Sequence, residues 1–335
     1  MIHGGGRGPC FNFGWCGSCE GCNLEQAVDE SAVFILFYSE GYFASRNCRR
    51  EIDAAIRLSK PVIIIYEGNE FVLECMKNEC SKYCNGNEPY LLQILEHLKE
   101  NSTPWVNEDI FAAQALKNIC TMLLGYLPYY QRYPNELSVG LCVPGELGPV
   151  HLTNPVNLLV CRANFGSLEV AHEAKSLLKE NDSTLLSIID PIADAEELDG
   201  VLSVKRSELV DSPRQAKPAT KQVLILYLNS KIFKDDGEEL TFLLKHAINL
   251  KIKIVLLHEL DLQKSGCEFD VFFHLTPMEL LKEPFKIYSR SIAVPLHGHE
   301  DFRELGLKRL LHMIGEEKMR KKIDFSQSIR ATLGM

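Results

Sequence analysis

The sequence has no hydrophobic run long enough to cross a membrane. Its longest apolar runs have the length of a β-strand, whereas about 18 apolar residues are needed to span a bilayer. Residues 1–32 also lack the compact apolar core of a secretory signal peptide. We therefore expect a cytoplasmic protein that does not act on a membrane.

The chain also has no excess of basic charge. Its 335 residues include 36 Lys and Arg against 45 Asp and Glu, which gives a formal net charge of −9 at pH 7. This balance argues against a broad nucleic-acid surface. A short basic run within residues 317–335 is interpreted as a solvated helix end. We predict no nucleic-acid partner.

Several common catalytic signatures are missing. The glycine run at residues 4–8 lacks the preceding strand and the Lys-Ser/Thr pair of a phosphate-binding loop. No nucleophile-elbow motif occurs. His297 and His299 follow a predicted strand, and no Cys or carboxylate joins them at ligand spacing. We place these two histidines on a solvent-facing turn.

The 12 cysteines do not suggest a disulfide framework, because such frameworks belong to much shorter secreted chains. Several lie in apolar segments, as reduced thiols do. A group of four among glycines could surround a tetrahedral zinc ion, although its spacing is more crowded than in usual zinc sites; it comprises Cys10, Cys16, Cys19 and Cys22. Our prediction is an irregular leader over residues 1–24 and no metal site, with zinc as the alternative.

The clearest pattern in the chain is one βαβ unit. Ala32–Tyr38 and Pro61–Tyr66 are almost uninterrupted apolar runs, which are typical of parallel strands covered on both faces. Between them, apolar residues recur at helical spacing from Cys48 to Leu58, after a capping residue at Ser45 or Asn47. Open parallel sheets bind ligands beyond the carboxyl ends of their strands. The polar residues between strand and helix are therefore candidates for a site.

A second region, after a linker rich in Pro and Gly, alternates strands and helices. Strands are predicted at Val156–Cys161, Thr184–Ile189, Gln222–Leu228, Lys253–His258 and Ser291–Leu296, and helices at Ser167–Lys179, Glu238–Asn249 and Glu300–Ile314. This alternation predicts an α/β fold with a doubly wound parallel sheet in flavodoxin-like order.

The order of strands and helices in the first region matches the second half of the second region. Two helices, at Pro89–Glu100 and Glu108–Leu124, follow its βαβ unit, but only Asn23–Asp29 resembles any part of the expected first half. We predict two domains. The boundaries are a leader at 1–24, a partial domain at 25–127, a linker at 128–153, a more complete domain at 154–316 and a basic tail at 317–335.

The polar residues after the first strand carry a family resemblance. They read Ser39-x-x-Tyr42-x-x-Ser45-x-Asn47-Cys48-x-x-Glu51-Ile52. This resembles the third strand and following helix of Toll/interleukin-receptor (TIR) domains. At the positions of Asn47 and Ile52, the family usually has Trp and Leu. The second region resembles a TIR-like domain over its full length, with a shorter polar segment from Asn229 to Leu240. The resemblance implies a tandem of TIR-like domains, the first partial and the second diverged.

The resemblance implies an intracellular signalling or interaction protein that acts through TIR–TIR assembly. Its partners would be other TIR domains, with self-association expected. The acidic loop at residues 190–200 stands where the family has a loop used in assembly. The candidate interaction residues are Asp190, Asp194, Glu196 and Glu197 in this loop, and Arg49 and Arg50 on an exposed face of the first domain.

An enzymatic function is the alternative, because some TIR domains cleave the nicotinamide–ribose bond of NAD+ and their catalytic Glu matches Glu51. A carboxylate beside the ribose carbon can stabilise the positive charge that develops there. Ser39, Tyr42 and Ser45 would line the NAD+ pocket, with NAD+ as substrate and no cofactor. Otherwise Glu51 is an acid on the first turn of its helix, favoured by the dipole, and Ser45 is its cap. A scaffold with neither role is the third possibility.

Overall fold

The computed structural model of the chain describes residues 24–67, 71–83, 101–191, 220–234 and 237–315. The chain divides into two compact units, residues 1–106 with 115–141 and residues 107–114 with 142–335. Each unit contains one parallel sheet accompanied by helices. The fold is therefore α/β and doubly wound, as the alternation of strands and helices predicts. The domain boundaries drawn from the sequence stay a prediction.

The first unit is built on a three-stranded parallel sheet in the order β1-β2-β3. Its strands are β1 (Phe34–Tyr38), β2 (Val62–Glu67) and β3 (Ser102–Trp105). The helices along this part of the chain are α1 (Leu24–Glu30), α2 (Arg46–Arg57), α3 (Phe71–Tyr83), α4 (Asp109–Gly125), α5 (Pro128–Arg132) and α6 (Pro134–Gly140). The central strand β2 is buried from Val62 to Tyr66, which accounts for its unbroken apolar run.

Strand β3 is absent from the sequence prediction. Its four residues, Ser-Thr-Pro-Trp, contain no apolar run. They still pair in parallel with β2, with Ile64 opposite Ser102 and Tyr66 opposite Pro104. Proline lacks an N–H group and is confined to positions such as an edge strand, and β3 is an edge of this sheet.

The second unit is built on a five-stranded parallel sheet in the order β5-β4-β6-β7-β8. Its strands are β4 (Val156–Leu159), β5 (Leu186–Ile189), β6 (Lys221–Leu228), β7 (Lys253–Glu259) and β8 (Val294–Leu296). Its helices are α7 (Ser167–Ser176), α8 (Glu180–Ser183), α9 (Gly237–Asn249), α10 (Val271–Leu275), α11 (Met278–Leu281) and α12 (Glu300–Gly315). Numbered within the unit, this order is 2-1-3-4-5, the flavodoxin-like order.

Both faces of this sheet are covered. Successive residues of a strand point to opposite faces, so Val223, Ile225 and Tyr227 join the core beneath α7 and α12. Leu224 and Leu226 join the core beneath α9 on the other face. This two-sided burial explains why β6 reads as a continuous apolar run instead of an alternating one.

Among the described residues, no helix is long and apolar enough to cross a membrane. Three predicted segments lie outside the described residues: most of the leader (1–23), the helix Pro89–Glu100 and the tail from residue 317. The zinc alternative for Cys10, Cys16, Cys19 and Cys22 lies there too.

Candidate functional site

Glu51 lies on α2, but not where the sequence placed it. The helix begins at Arg46, directly after Ser45, so Glu51 is its sixth residue and belongs to the second turn. The first turn of α2 contains no acidic residue. Because the helix dipole acts on charges in the first turn, it does not account for Glu51, and the prediction of a first-turn acid is wrong.

The surroundings of Glu51 make its carboxyl group unusual. The side chain is half-buried, and this burial raises its pKa above the ordinary value, against a smaller opposing effect of Arg50. In the described part of the chain, the Glu51 side chain takes part in no hydrogen bond or ion pair. The nearby cation Arg50 is instead paired with Glu25, at 2.7 Å. Glu51 is thus a partly desolvated carboxyl group without a partner in the described part of the chain.

The other predicted pocket residues belong to the turn between β1 and α2. Ser45 is the N-cap of α2, since its hydroxyl accepts a hydrogen bond from the Cys48 N–H at 3.4 Å. Tyr42 is half-buried, and its ring meets Phe43 edge-on at 5.2 Å. Ser39 is exposed, and its carbonyl accepts from the Tyr42 N–H at 3.1 Å. Ser45 therefore has the capping role predicted from the sequence.

Arg49 stabilises this turn. Its guanidinium donates to the carbonyls of Phe43 and Ala44, the latter at 3.0 Å, and lies over the Tyr83 ring at 5.7 Å from the centroid. Arg49 is only half-exposed as a result. Its role in an interaction surface stays a prediction.

Arg50 joins α2 to α1. It binds Glu25 in a two-point contact, with its Nε donating to Oε1 at 2.9 Å and its Nη2 donating to Oε2 at 2.8 Å. The pKa of Glu25 is lowered by a backbone hydrogen bond and by this arginine. Arg50 is exposed, so it can still take part in an outer surface, but its charge is largely matched within the unit.

Of the acidic loop, only its first carboxylate is described. Asp190 follows β5 directly, is half-buried and pairs with Arg162 at 3.3 Å. Asp194, Glu196 and Glu197 lie outside the described residues.

The outer edge of β1 is a feature that the sequence analysis missed. Strand β1 pairs with β2 on one side, and no described strand pairs with its other side. On this strand Leu36 and Tyr38 are buried, while Ile35 is 37% and Phe37 is 57% exposed. In the second unit the equivalent strand β6 is flanked on both sides, by β4 and β7. The apolar run that predicts a covered strand is thus only partly covered.

At the carboxyl ends of β4 and β6, where such folds hold ligands, an asparagine side chain bridges the two strands. The Asn164 side chain donates to the Tyr227 carbonyl at 2.7 Å and accepts from the Tyr227 N–H at 2.8 Å. The amide thereby continues the strand pairing between β4 and β6. Gly166 adopts φ +82°, and a Cβ there would lie 2.7 Å from the Tyr227 ring. These contacts pack the turn after β4 tightly against Tyr227 of β6.

The Tyr227 side chain is part of a buried charge network. Glu259 is fully buried and accepts hydrogen bonds from the Tyr227 hydroxyl and from Arg303, the latter at 2.8 Å. Arg303 also binds Glu173 at 2.7 Å, and Lys264 binds Glu173 at 3.0 Å. Burial would raise the pKa of Glu173, but these two cations lower it overall. The network joins four separate segments of the chain, so no local sequence motif predicts it.

His297 does not lie on a solvent-facing turn, contrary to the sequence prediction. Its ring packs against Phe111 at 4.8 Å and Phe302 at 5.9 Å. Burial, together with His258 and His299, lowers the pKa of His297 to about 4. Phe111 comes from a distant part of the chain, so the pattern around His297 does not reveal this contact.

No group of three or more His, Cys, Asp or Glu suited to a metal ion occurs in the ranges that the structure describes. In comparisons with known proteins, the chain matched no protein-family model and no curated protein. The TIR resemblance therefore depends on the residue pattern alone, and we carry it forward as a proposal.

Proposed function

We propose that this chain is a cytoplasmic signalling or interaction protein of the TIR type, which acts by association of its TIR-like domains with one another and first with a second copy of itself. The observation that supports this proposal is the apolar edge of β1, which pairs with no strand in the described part of the chain.

The backbone of β1 is oriented for pairing at this edge. The Phe34 N–H donates to Pro61 O beside β2, and alternate residues of a strand direct their N–H and C=O groups to opposite sides. The groups of Ile35 and Phe37 therefore point to the open side. An exposed edge strand is a template for pairing with another chain.

A second copy fits this edge by antiparallel pairing about Leu36. In that register Ile35 of each copy lies opposite Phe37 of the other copy, which gives two symmetric pairs. Each pair exchanges two N–H···O=C hydrogen bonds. The side chains in these pairs are the exposed ones, and apolar cross-strand pairs contribute roughly 0.2–1 kcal/mol each. The strand Phe-Ile-Leu-Phe-Tyr carries no charge that would oppose its own copy.

Sedimentation velocity over a concentration series tests the association. We expect the wild type to self-associate and a variant with Ile35→Lys and Phe37→Lys to remain monomeric, because two lysines would face each other across the edge. Phe242→Lys is the control, since Phe242 is 66% exposed on α9 and is no part of the proposed contact. A monomeric wild type, or a double variant that assembles like the wild type, would contradict the proposal.

A second candidate function, NAD+ glycohydrolase activity, is favoured by the state of Glu51. A half-buried carboxyl group with a raised pKa and no described partner is a usual feature of catalytic acids and bases. In the reaction the ribose–nicotinamide bond breaks, nicotinamide leaves with the bonding electrons, and water adds to the ribose carbon and loses a proton. Glu51 would stabilise the positive charge on the ribose.

Nicotinamide release from NAD+ tests this second candidate. We expect release by the wild type and at least a tenfold lower rate for Glu51→Gln, within the range that one electrostatic contact supplies. Asp53→Asn is a matched control on the same helix, because Asp53 is exposed and pairs with Arg57. Absence of release, or equal release by Glu51→Gln, would exclude the enzymatic role.

A further inference from the structure

A pocket of about 490 Å³ opens in the second unit beside β7 and β8. Small-molecule sites occupy roughly 300–1,000 Å³, so the pocket has the size of a ligand site. Its lining includes His258 at the end of β7 and a group of residues just before β8, among them Tyr288, Arg290, Ser291 and Ile292. None of the residues proposed from the sequence lies in it.

The chain that joins β7 to β8 forms most of this pocket. In place of one long crossover helix it has the short helices α10 and α11 and a 3₁₀ turn at Ile287–Ser289. Phe272, Leu280 and Ile287 are fully buried in the core under this connection. The pocket wall is therefore anchored to the sheet.

One side of the pocket is aromatic. The rings of Phe269 and Tyr288 meet edge-on at 5.5 Å, and His258 meets Phe269 at 5.5 Å. His258 Nε2 lies 2.7 Å from the Cys267 carbonyl, so this nitrogen carries the proton and the ring is held in one orientation. The Tyr288 hydroxyl is hydrogen-bonded to Thr276. These contacts fix the wall before any ligand arrives.

Arg290 supplies a positive charge at the pocket. Its Nε donates to the Phe285 carbonyl and its Nη2 to the Pro284 carbonyl at 2.6 Å. Both acceptors are neutral, and the ion pairs of the described residues include no carboxylate bound to Arg290. The guanidinium is thus positioned with its charge uncompensated, and its remaining N–H groups can donate to an anion.

The other lining residues fit the same ligand chemistry. The acidic residue in the lining, Glu108, lies 3.8 Å from Arg309, which reduces its repulsion of an anion. Ser291 offers a hydroxyl beside Arg290 in the chain. Ile292 is 84% exposed next to the pocket, and its apolar surface would be removed from water by a bound ring.

We propose that this pocket binds a small molecule with a planar ring and an anionic group. The ring packs against the wall of Phe269 and Tyr288 and against Ile292, and the anionic group contacts Arg290 and Ser291. A mononucleotide and an aromatic carboxylate share this chemistry. This site shares no residue with the β1 edge and does not include Glu51, and its test does not depend on either proposed function.

Isothermal titration of the full chain tests the site with adenosine monophosphate and with indole-3-acetate as probes. Two compounds serve as controls: adenosine, which lacks the anionic group, and inorganic phosphate, which lacks the ring. We expect one of the two probes to bind at least tenfold more tightly than either control. Binding of adenosine monophosphate alone would assign a phosphate ligand, and binding of indole-3-acetate alone a carboxylate ligand; both results support the site.

Substitutions then test its location. Arg290→Gln is expected to lower the affinity for the probe at least tenfold. Ser291→Asp is expected to lower it by as much, although it keeps the main-chain contacts of Arg290. Lys282→Gln is the control, because Lys282 is an exposed cation of the same connection outside the lining. Thermal unfolding followed by circular dichroism checks that each variant is folded. Lack of binding by both probes, or unchanged affinity in both folded pocket variants, would overturn the proposal.

Discussion

Glu51 holds a carboxyl group whose folded pKa is raised by burial. The folded protein therefore binds a proton at Glu51 more tightly than the unfolded chain does. The stability that results is fully present below the pKa of Glu51 in the unfolded chain, and it is lost as pH rises through the pKa in the folded protein. Glu51→Gln keeps the shape without the charge. We expect it to melt at a higher temperature than the wild type at pH 7 and at the same temperature well below pH 4.5, the ordinary value.

Thermal unfolding of both proteins at the two pH values measures this effect. Glu40→Gln is the control, since Glu40 is exposed beyond the end of β1. If Glu51→Gln is less stable than the wild type at pH 7, the ionised carboxylate has a stabilising partner.

Arg303 is the central cation of the buried network. Arg303→Met would leave the fully buried Glu259 without its cation, and breaking a buried pair in this way costs about 3–5 kcal/mol. Chemical denaturation measures the loss. Adding Glu259→Gln should recover part of it, because the uncompensated charge is then removed.

Lys308→Met provides the comparison for Arg303. Lys308 pairs with Glu304 at the surface of the same helix, and such exposed pairs contribute at most about 1 kcal/mol. Equal losses for Arg303→Met and Lys308→Met would show that the buried network is not a major source of stability.

At the scale of elements, α12 lies close to β8 because Gly306 has no side chain. A Cβ at this position would lie 2.5 Å from the Pro295 carbonyl oxygen and 3.0 Å from the Leu296 side chain. Gly306→Ala must therefore shift the helix, which we expect to destabilise the second unit by about 1–3 kcal/mol. Chemical denaturation measures the change.

Gly298→Ala is the matched substitution just before the same helix. The nearest atom to a Cβ there is the Asp261 carboxyl carbon at 3.4 Å, which belongs to a side chain that can move. We expect only a small change, and a larger loss at Gly298 than at Gly306 would refute the close approach of α12 and β8.

The elements also show the reach of sequence patterns. The two-sided burial of β2 and β6 makes each of them a continuous apolar run, so both were predictable. Ser45 was predictable as a cap because its role depends on a residue three positions away. Strand β3 has no such pattern, since its place in the sheet depends on pairing with β2.

At the scale of the whole molecule, the net charge of −9 opposes self-association, because two copies repel each other. The proposed β1 contact is uncharged, so added salt screens only this repulsion. We expect self-association to strengthen between low and high sodium chloride. Sedimentation velocity at the two salt concentrations measures it.

Weaker self-association at high salt would favour an interface made of the charged residues that were proposed from the sequence. An assembly through Arg49, Arg50 and the acidic residues from Asp190 to Glu197 would weaken in salt, since ion pairs at a surface are screened. Dissociation at high salt would therefore contradict the β1 contact as the main interface.

The sequence by itself determined the α/β class and most strands of the second sheet, because these depend on local periodicity and the alternation of elements. The tertiary structure decided which apolar strand lacks a second partner among the described strands, as at β1, and which polar groups are removed from water, as at Glu51, Glu259 and His297. Those properties depend on how the elements pack against one another. The pocket at Arg290 belongs to the same class, since its charge is available only because two main-chain carbonyls, and no described carboxylate, hold the side chain.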